Sequence, residues 1–168
     1  GDPAGLLPLD RLLLIENLFD LDDLKVKDAM VPRERVAFFS TAKSWDENIM
    51  LLKEHHFSRY PLGNPDLDHI VGMLYAKDFL AVLKERDLII LADVIRPAFF
   101  VPESKKVSEL LREFRKGRIH MALVVDEYGG TSGIVTLEDL VEEIIGEIRD
   151  EYDIESGPIK PRGADTWE

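Results

Sequence analysis

The chain repeats itself, and that constrains its fold more than any other feature. Val26-Lys27-Asp28-Ala29-Met30-Val31-Pro32 and Leu91-Ala92-Asp93-Val94-Ile95-Arg96-Pro97 share the pattern apolar-x-Asp-apolar-apolar-x-Pro, with Pro32 and Pro97 in register. Each lead-in is followed by a stretch of helical period: Trp45, Ile49 and Leu52 fall on one face, as do Val107, Leu110, Leu111 and Phe114. A short strand comes next, Tyr60-Pro61-Leu62 in one copy and Ala122-Leu123-Val124-Val125 in the other. The turns Gly63-Asn64-Pro65-Asp66 and Asp126-Glu127-Tyr128-Gly129-Gly130 follow. Each copy closes with a strand running into a helix, Gly72-Met73-Leu74-Tyr75-Ala76-Lys77-Asp78 against Gly133-Ile134-Val135-Thr136-Leu137-Glu138-Asp139, with Gly and Asp equally spaced in both. A unit this small has an uncovered sheet face and too little core to stand alone. Two copies packed sheet to sheet resolve that. The expected fold is α+β, β-α-β-β-α twice, as a pseudo-two-fold sandwich.

The expected organisation is a helix in residues 1–25, a first repeat in 26–88, a second in 89–155 and a linker in 156–168. Leu12, Ile15, Leu18 and Phe19 recur at helical spacing within 6–24, and Gly157, Pro158, Pro161 and Gly163 punctuate the end. Without an initiator Met and stopping in mid-pattern, the chain reads as a piece of a longer protein. Its net charge of −12 opposes binding to nucleic acid or to an anionic membrane surface. It has no cysteine, which excludes disulfides, thiolate nucleophiles and cysteine zinc sites. No apolar run approaches the roughly 18–20 residues that cross a bilayer.

Chemistry concentrates at the second strand–helix junction. Thr136 ends a strand, Asp139 lies in the first helical turn, and Leu137, Leu140, Val141, Ile144, Ile145 and Ile148 form the helix's apolar stripe. One reading is a capping box: Thr136 accepts from the Asp139 N–H while Asp139 reaches back, for about 1 kcal/mol. The other uses the same geometry on a ligand. A helix N-terminus suits phosphate, and a carboxylate accepts from ribose hydroxyls.

Strand, turn, strand, Gly-x-x-[Thr]-x-x-Asp, helix, twice over, resembles the CBS-domain pair, or Bateman module, across about residues 26–148. Met30-Val31-Pro32-Arg33, Ser58-Arg59-Tyr60-Pro61, Ala76-Lys77-Asp78, Asp126-Glu127-Tyr128-Gly129-Gly130 and Gly133–Asp139 narrow the resemblance to the CorC/HlyC hemolysin-like group, bacterial relatives of the CNNM magnesium transport mediators. It implies a regulatory module that senses ATP or AMP in a cleft between repeats, with Mg2+ arriving only with the nucleotide. Carried over, Thr136 and Asp139 meet phosphate and ribose, Arg59 approaches the phosphates with Ser58 beside it among the nucleotide-binding residues, and adenine lies against Ile95, Pro97, Val101 and Met121. On general grounds a lone Arg such as Arg59 is more often half of a surface ion pair, and the resemblance is what brings the phosphate role level with that reading. In the first repeat Asp78 is kept but Tyr75 stands where Ser or Thr is expected, so one competent site per chain is expected. The resemblance further implies a homodimer, joined in the parent chain to a membrane transport domain and a C-terminal domain. That places the module on the cytoplasmic side of the inner or plasma membrane. The alternative is a nucleotide-blind homodimerisation scaffold.

Other signals are weaker. His55, His56, His69 and His120 match no zinc spacing. Gly129-Gly130-Thr131-Ser132-Gly133 lacks the Lys of a P-loop and reads as a hairpin turn. Glu142, Glu143, Glu147, Asp150, Glu151 and Asp153 read as a solvated face. No nucleophile with a paired base is evident, so the chain is not expected to be an enzyme.

Overall fold

The computed structural model describes residues 23–85 and 90–156, with side chains as far as Asp150. In chain order the elements are α1 (Val26–Ala29), β1 (Val31–Pro32), β2 (Phe39–Ser40), α2 (Trp45–Glu54), β3 (Arg59–Gly63), β4 (Ile70–Tyr75), α3 (Ala76–Lys84), β5 (Phe100–Pro102), α4 (Val107–Gly117), β6 (Met121–Val125), β7 (Thr131–Thr136) and α5 (Leu137–Ser156). Single 3-10 turns occupy Arg33–Arg35 and Leu91–Asp93. The strand–helix–strand–turn–strand–helix order of both repeats is therefore present. Of the helix expected in 6–24, only residues 23 and 24 are described. Leu24 lies outside any helix, buried, with its carbonyl accepting from the Val107 N–H at 3.0 Å. The linker expected in 156–168 lies outside the described residues except Ser156, which is the last residue of α5.

The described residues fall into two compact units, residues 30–85 and 90–103 with 121–135, and residues 23–29 with 104–120 and 136–156. The first carries both sheets. β2-β3-β4 is three-stranded, β2 parallel and β4 antiparallel to the central β3, with Tyr60 opposite Leu74 and Leu62 opposite Gly72. The other sheet has the order β1-β7-β6-β5, with β5 parallel to β6 and β1 antiparallel to β7. Phe39, Tyr60, Leu62, Leu74 and Phe79 form a buried cluster, with the Phe39 ring 4.8 Å from Tyr60 and 4.6 Å from Phe79. Met73 of β4 meets Leu123 of β6 and Ile134 of β7 in a second cluster, so the sheets face each other as expected.

The lead-in of each repeat is exchanged. Val31 and Pro32, from the first repeat, pair with Ile134 and Gly133 of the second. Arg96, from the second, bridges to Met73 of the first, its C=O accepting from Met73 N–H at 2.7 Å and its N–H donating back at 2.9 Å. Both crossings run over a glycine. A Cβ on Gly72 would lie 2.5 Å from the Arg96 O, and one on Gly133 would overlap the Val31 O outright. Glycine at the same position of both repeats thus reflects a backbone approach too close for any side chain.

Two turns of this unit are stapled together. Arg33 Nη1 donates to Asp68 Oδ1 at 2.6 Å and to the Thr131 carbonyl at 2.8 Å, and the Thr131 N–H donates to Asp68 Oδ1 at 3.0 Å. These contacts hold the Asp68 carboxyl below its usual range, the Arg33 hydrogen bond first and the Thr131 amide second. In the other turn Gly129 takes φ +87°, a conformation that favours glycine, while Asp126 Oδ1 accepts the N–H groups of Tyr128 and Gly130, both at 2.9 Å.

In the second unit α1, α4 and α5 contact one another and bury Val26, Leu110, Leu111, Phe114, Leu140 and Ile144. The Val26 N–H donates to the Lys105 carbonyl at 2.8 Å, tying the lead-in to α4. Glu143 of α5 is pushed above the usual carboxylate range, by burial first and then by Asp28, Glu147 and Asp150.

Candidate functional site

β7 runs directly into α5, which fixes Thr136 and Asp139 at a strand–helix junction. The Asp139 N–H donates to Thr136 Oγ1 at 3.1 Å, and the Thr136 N–H donates to Asp139 Oδ2 at 2.9 Å. Both residues are half-buried. This is the reciprocal capping box that the sequence predicts. The Leu137 N–H is held by the His120 carbonyl at 3.0 Å. Among the described residues, Asp139 Oδ1 takes no hydrogen bond. The junction therefore offers the carboxylate of a half-buried aspartate, a hydroxyl and the positive end of a 20-residue helix.

Capping geometry alone does not mark a ligand site. Ser44 and Glu47 make the same reciprocal pair at α2, with the Glu47 N–H donating to Ser44 Oγ at 3.2 Å and the Ser44 N–H to Glu47 Oε1 at 2.9 Å.

The first-repeat junction is built differently. Tyr75 precedes α3 and supplies no side-chain cap. Asp78 Oδ2 accepts instead from Arg96 Nη2 at 2.9 Å, and the same guanidinium lies 4.1 Å from the Tyr75 ring centre. The Arg59 guanidinium, at the start of β3, lies 5.2 Å from that ring, and its Nε is buried without a hydrogen-bond partner among the described residues. The neighbouring Ser58 is exposed, and its carbonyl accepts the Ala76 N–H at 2.9 Å.

Arg59, Tyr75 and Asp78 are thus brought together, and so are Thr136 and Asp139. The residues expected at adenine are more dispersed. Ile95 packs half-buried on the Phe39–Tyr60 cluster and Met121 on the Met73–Leu123 cluster. Pro97 is exposed. Val101 is 1% exposed, so its side chain belongs to the core and only its backbone remains for a ligand. Arg96 went unnoticed in the sequence. Its signal was the mismatch with Val31 at the same lead-in position, coupled to the Tyr75 mismatch with Thr136. Among the described residues no three His, Asp or Glu side chains converge to hold a metal ion, and no helix is long and apolar enough to cross a membrane.

Comparison with known proteins bears on this geometry. The CBS domain family matches residues 91–146. The solved CBS domain of a bacterial CNNM/CorC family Mg2+ transporter in complex with ATP is 40% identical, covers 83% of this chain and is itself 99% covered, with a TM-score of 0.68. The chain belongs to the CBS modules of the CNNM/CorC family. A CBS-domain pair with bound AMP from Klebsiella pneumoniae is 30% identical over 74% of this chain and all of that one, with a TM-score of 0.64. The magnesium and cobalt efflux protein CorC of Vibrio cholerae is 42% identical over 151 residues, 89% of this chain. This CorC-family module spans only about half that relative's length, 52%. Its α+β architecture is that of the tandem CBS pair.

Proposed function

We propose that this chain is the regulatory adenine-nucleotide sensor of a magnesium and cobalt efflux protein. Thr136 and Asp139 would hold the nucleotide at the start of α5. The positive end of the α5 dipole and the Thr136 hydroxyl would face a phosphate, while the Asp139 carboxylate would accept from ribose hydroxyls. The observation that carries the reading is the Thr136–Asp139 junction in a chain 40% identical to an ATP-complexed CBS domain. With a net charge of −12, the protein repels an ATP carrying about four negative charges, so Mg2+ arriving with the nucleotide favours binding. Ligand affinity that differs between two homodimer arrangements would shift their populations. That shift would pass to a membrane transport domain in the parent chain, with the module on the cytoplasmic side. The role is regulatory binding rather than catalysis.

The test is thermal-shift titration with AMP, ADP and ATP, each with and without Mg2+. A ligand at 100 times its Kd adds about 2.7 kcal/mol of stability. The expected result is a saturable shift that Asp139→Ala abolishes and Ser44→Ala, the matching cap on α2, leaves intact. The reciprocal hydrogen bonds of Thr136 and Asp139, which by themselves account for both residues as a helix cap, favour a second reading, a nucleotide-blind homodimerisation scaffold. No shift at millimolar nucleotide, with Asp139→Ala costing only a cap's roughly 1 kcal/mol, would establish that reading instead.

A further inference from the structure

The start of α3 is the first repeat's counterpart of the start of α5, and it is already occupied. At α5 the aspartate turns back onto its own helix. At α3 the corresponding Asp78 is held by Arg96 at 2.9 Å, and the guanidinium covers the Tyr75 ring at 4.1 Å. An exposed Arg–Asp pair is ordinarily weak, because both side chains must be immobilised to make it. Arg96 starts from a different position. Its backbone is pinned to β4 by the two hydrogen bonds with Met73, at a crossing so close that Gly72 has no room for a Cβ. Tyr75 lies two residues along β4 from Met73, and side chains two apart leave the same face of a strand. The exchanged lead-in therefore delivers the guanidinium to ring and carboxylate together. A planar guanidinium serves both, stacking on an aromatic while donating in its own plane to a carboxylate. Asp78 is the acceptor a ribose would need, its side chain only 21% exposed, and a tyrosine stands where the other junction has a threonine hydroxyl.

We propose that Arg96 is a built-in occupant of the first-repeat junction, and that with Tyr75 it keeps adenine nucleotides out of that junction. This rests on the nucleotide reading given above. A tethered cation competes at a high effective concentration, so a free nucleotide cannot easily take Asp78 from it.

The test is isothermal titration of the 168-residue chain with AMP, carried out in an Asp139→Ala background to silence the second junction. The background alone should bind no AMP. Adding Tyr75→Thr and Arg96→Ala together should create a binding event, weakened at least tenfold by a further Asp78→Ala. A variant that keeps the parent's circular dichroism and gains no AMP binding, or gains binding indifferent to Asp78, overturns the proposal. A second measurement uses the unmutated chain. The Arg96 side-chain N–H resonance should carry a ring-current shift from Tyr75 and keep it at saturating AMP, and loss of that shift on saturation also overturns the proposal. Failure of the nucleotide reading appears separately, as absence of Asp139-dependent binding of AMP, ADP or ATP in the unmutated chain.

Discussion

Gly72→Ala tests the exchanged architecture directly. The added Cβ would sit 2.5 Å from the Arg96 O and 2.5 Å from Ile95 Cγ2, both well inside van der Waals contact. The Arg96 oxygen cannot withdraw without breaking the 2.7 Å and 2.9 Å hydrogen bonds that join Arg96 to Met73. Overpacking of this kind costs about 1–3 kcal/mol. Two lost backbone hydrogen bonds add about 1 kcal/mol each. The smaller backbone entropy cost of Ala returns about 0.5–1 kcal/mol. The net loss is about 2–4 kcal/mol, or a fall in Tm of about 5–15 °C for a chain of this size. Urea and thermal unfolding followed by far-UV circular dichroism measure it, with an unchanged m-value showing that the denatured state is not responsible. Gly146, in α5, is the control: a Cβ there meets nothing within 4 Å, so Gly146→Ala should stabilise by about 0.5–1 kcal/mol. Gly133→Ala should cost at least as much as Gly72→Ala, since its Cβ would overlap the Val31 carbonyl. A Gly72→Ala protein within 0.5 kcal/mol of the parent would refute the close-crossing argument.

Three further outcomes follow from the same geometry. Asp68 has a folded pKa below its unfolded one, so its contribution is present above about pH 4 and lost as pH falls through the lower folded value. Asp68→Asn should therefore cost about 1 kcal/mol or less at pH 7, with Arg33 and Asp68 38% and 42% exposed, and the gap to the parent should close in acid unfolding curves below pH 4. Glu143 shifts the opposite way: its ionised form is penalised in the folded state, so Glu143→Gln should raise stability at pH 7, and the gain should vanish as pH drops below the unfolded value of about 4.3. Leu74 is fully buried on β4, and Leu74→Ala should cost about 2–5 kcal/mol by chemical denaturation.

The long elements were legible because their periodicity is strong. β3, β4, β6 and β7, the helices α2 to α5 and both hairpin turns coincide with patterns read along the chain. β1 and β2 have two residues each, too few to show a period, and their pairing comes wholly from distant partners. At the site, the Thr136–Asp139 box is local in sequence and was visible for that reason. The pairing of Asp78 with Arg96 links residues from different repeats: the sequence marks the two departures, Arg96 against Val31 and Tyr75 against Thr136, and only the fold shows that they meet.

The sequence by itself determined the duplication, the two glycines, the capping residues and the acidic balance, because each is a property of short segments and their composition. Tertiary structure alone decided that each lead-in crosses to the other repeat. Val31 joins β7 and Arg96 joins β4, where each strand would otherwise expose backbone N–H and C=O groups with no partner. That one exchange explains why glycine stands at both crossings. It also brings an arginine onto Tyr75 and Asp78, where the second repeat keeps an open carboxylate oxygen at Asp139.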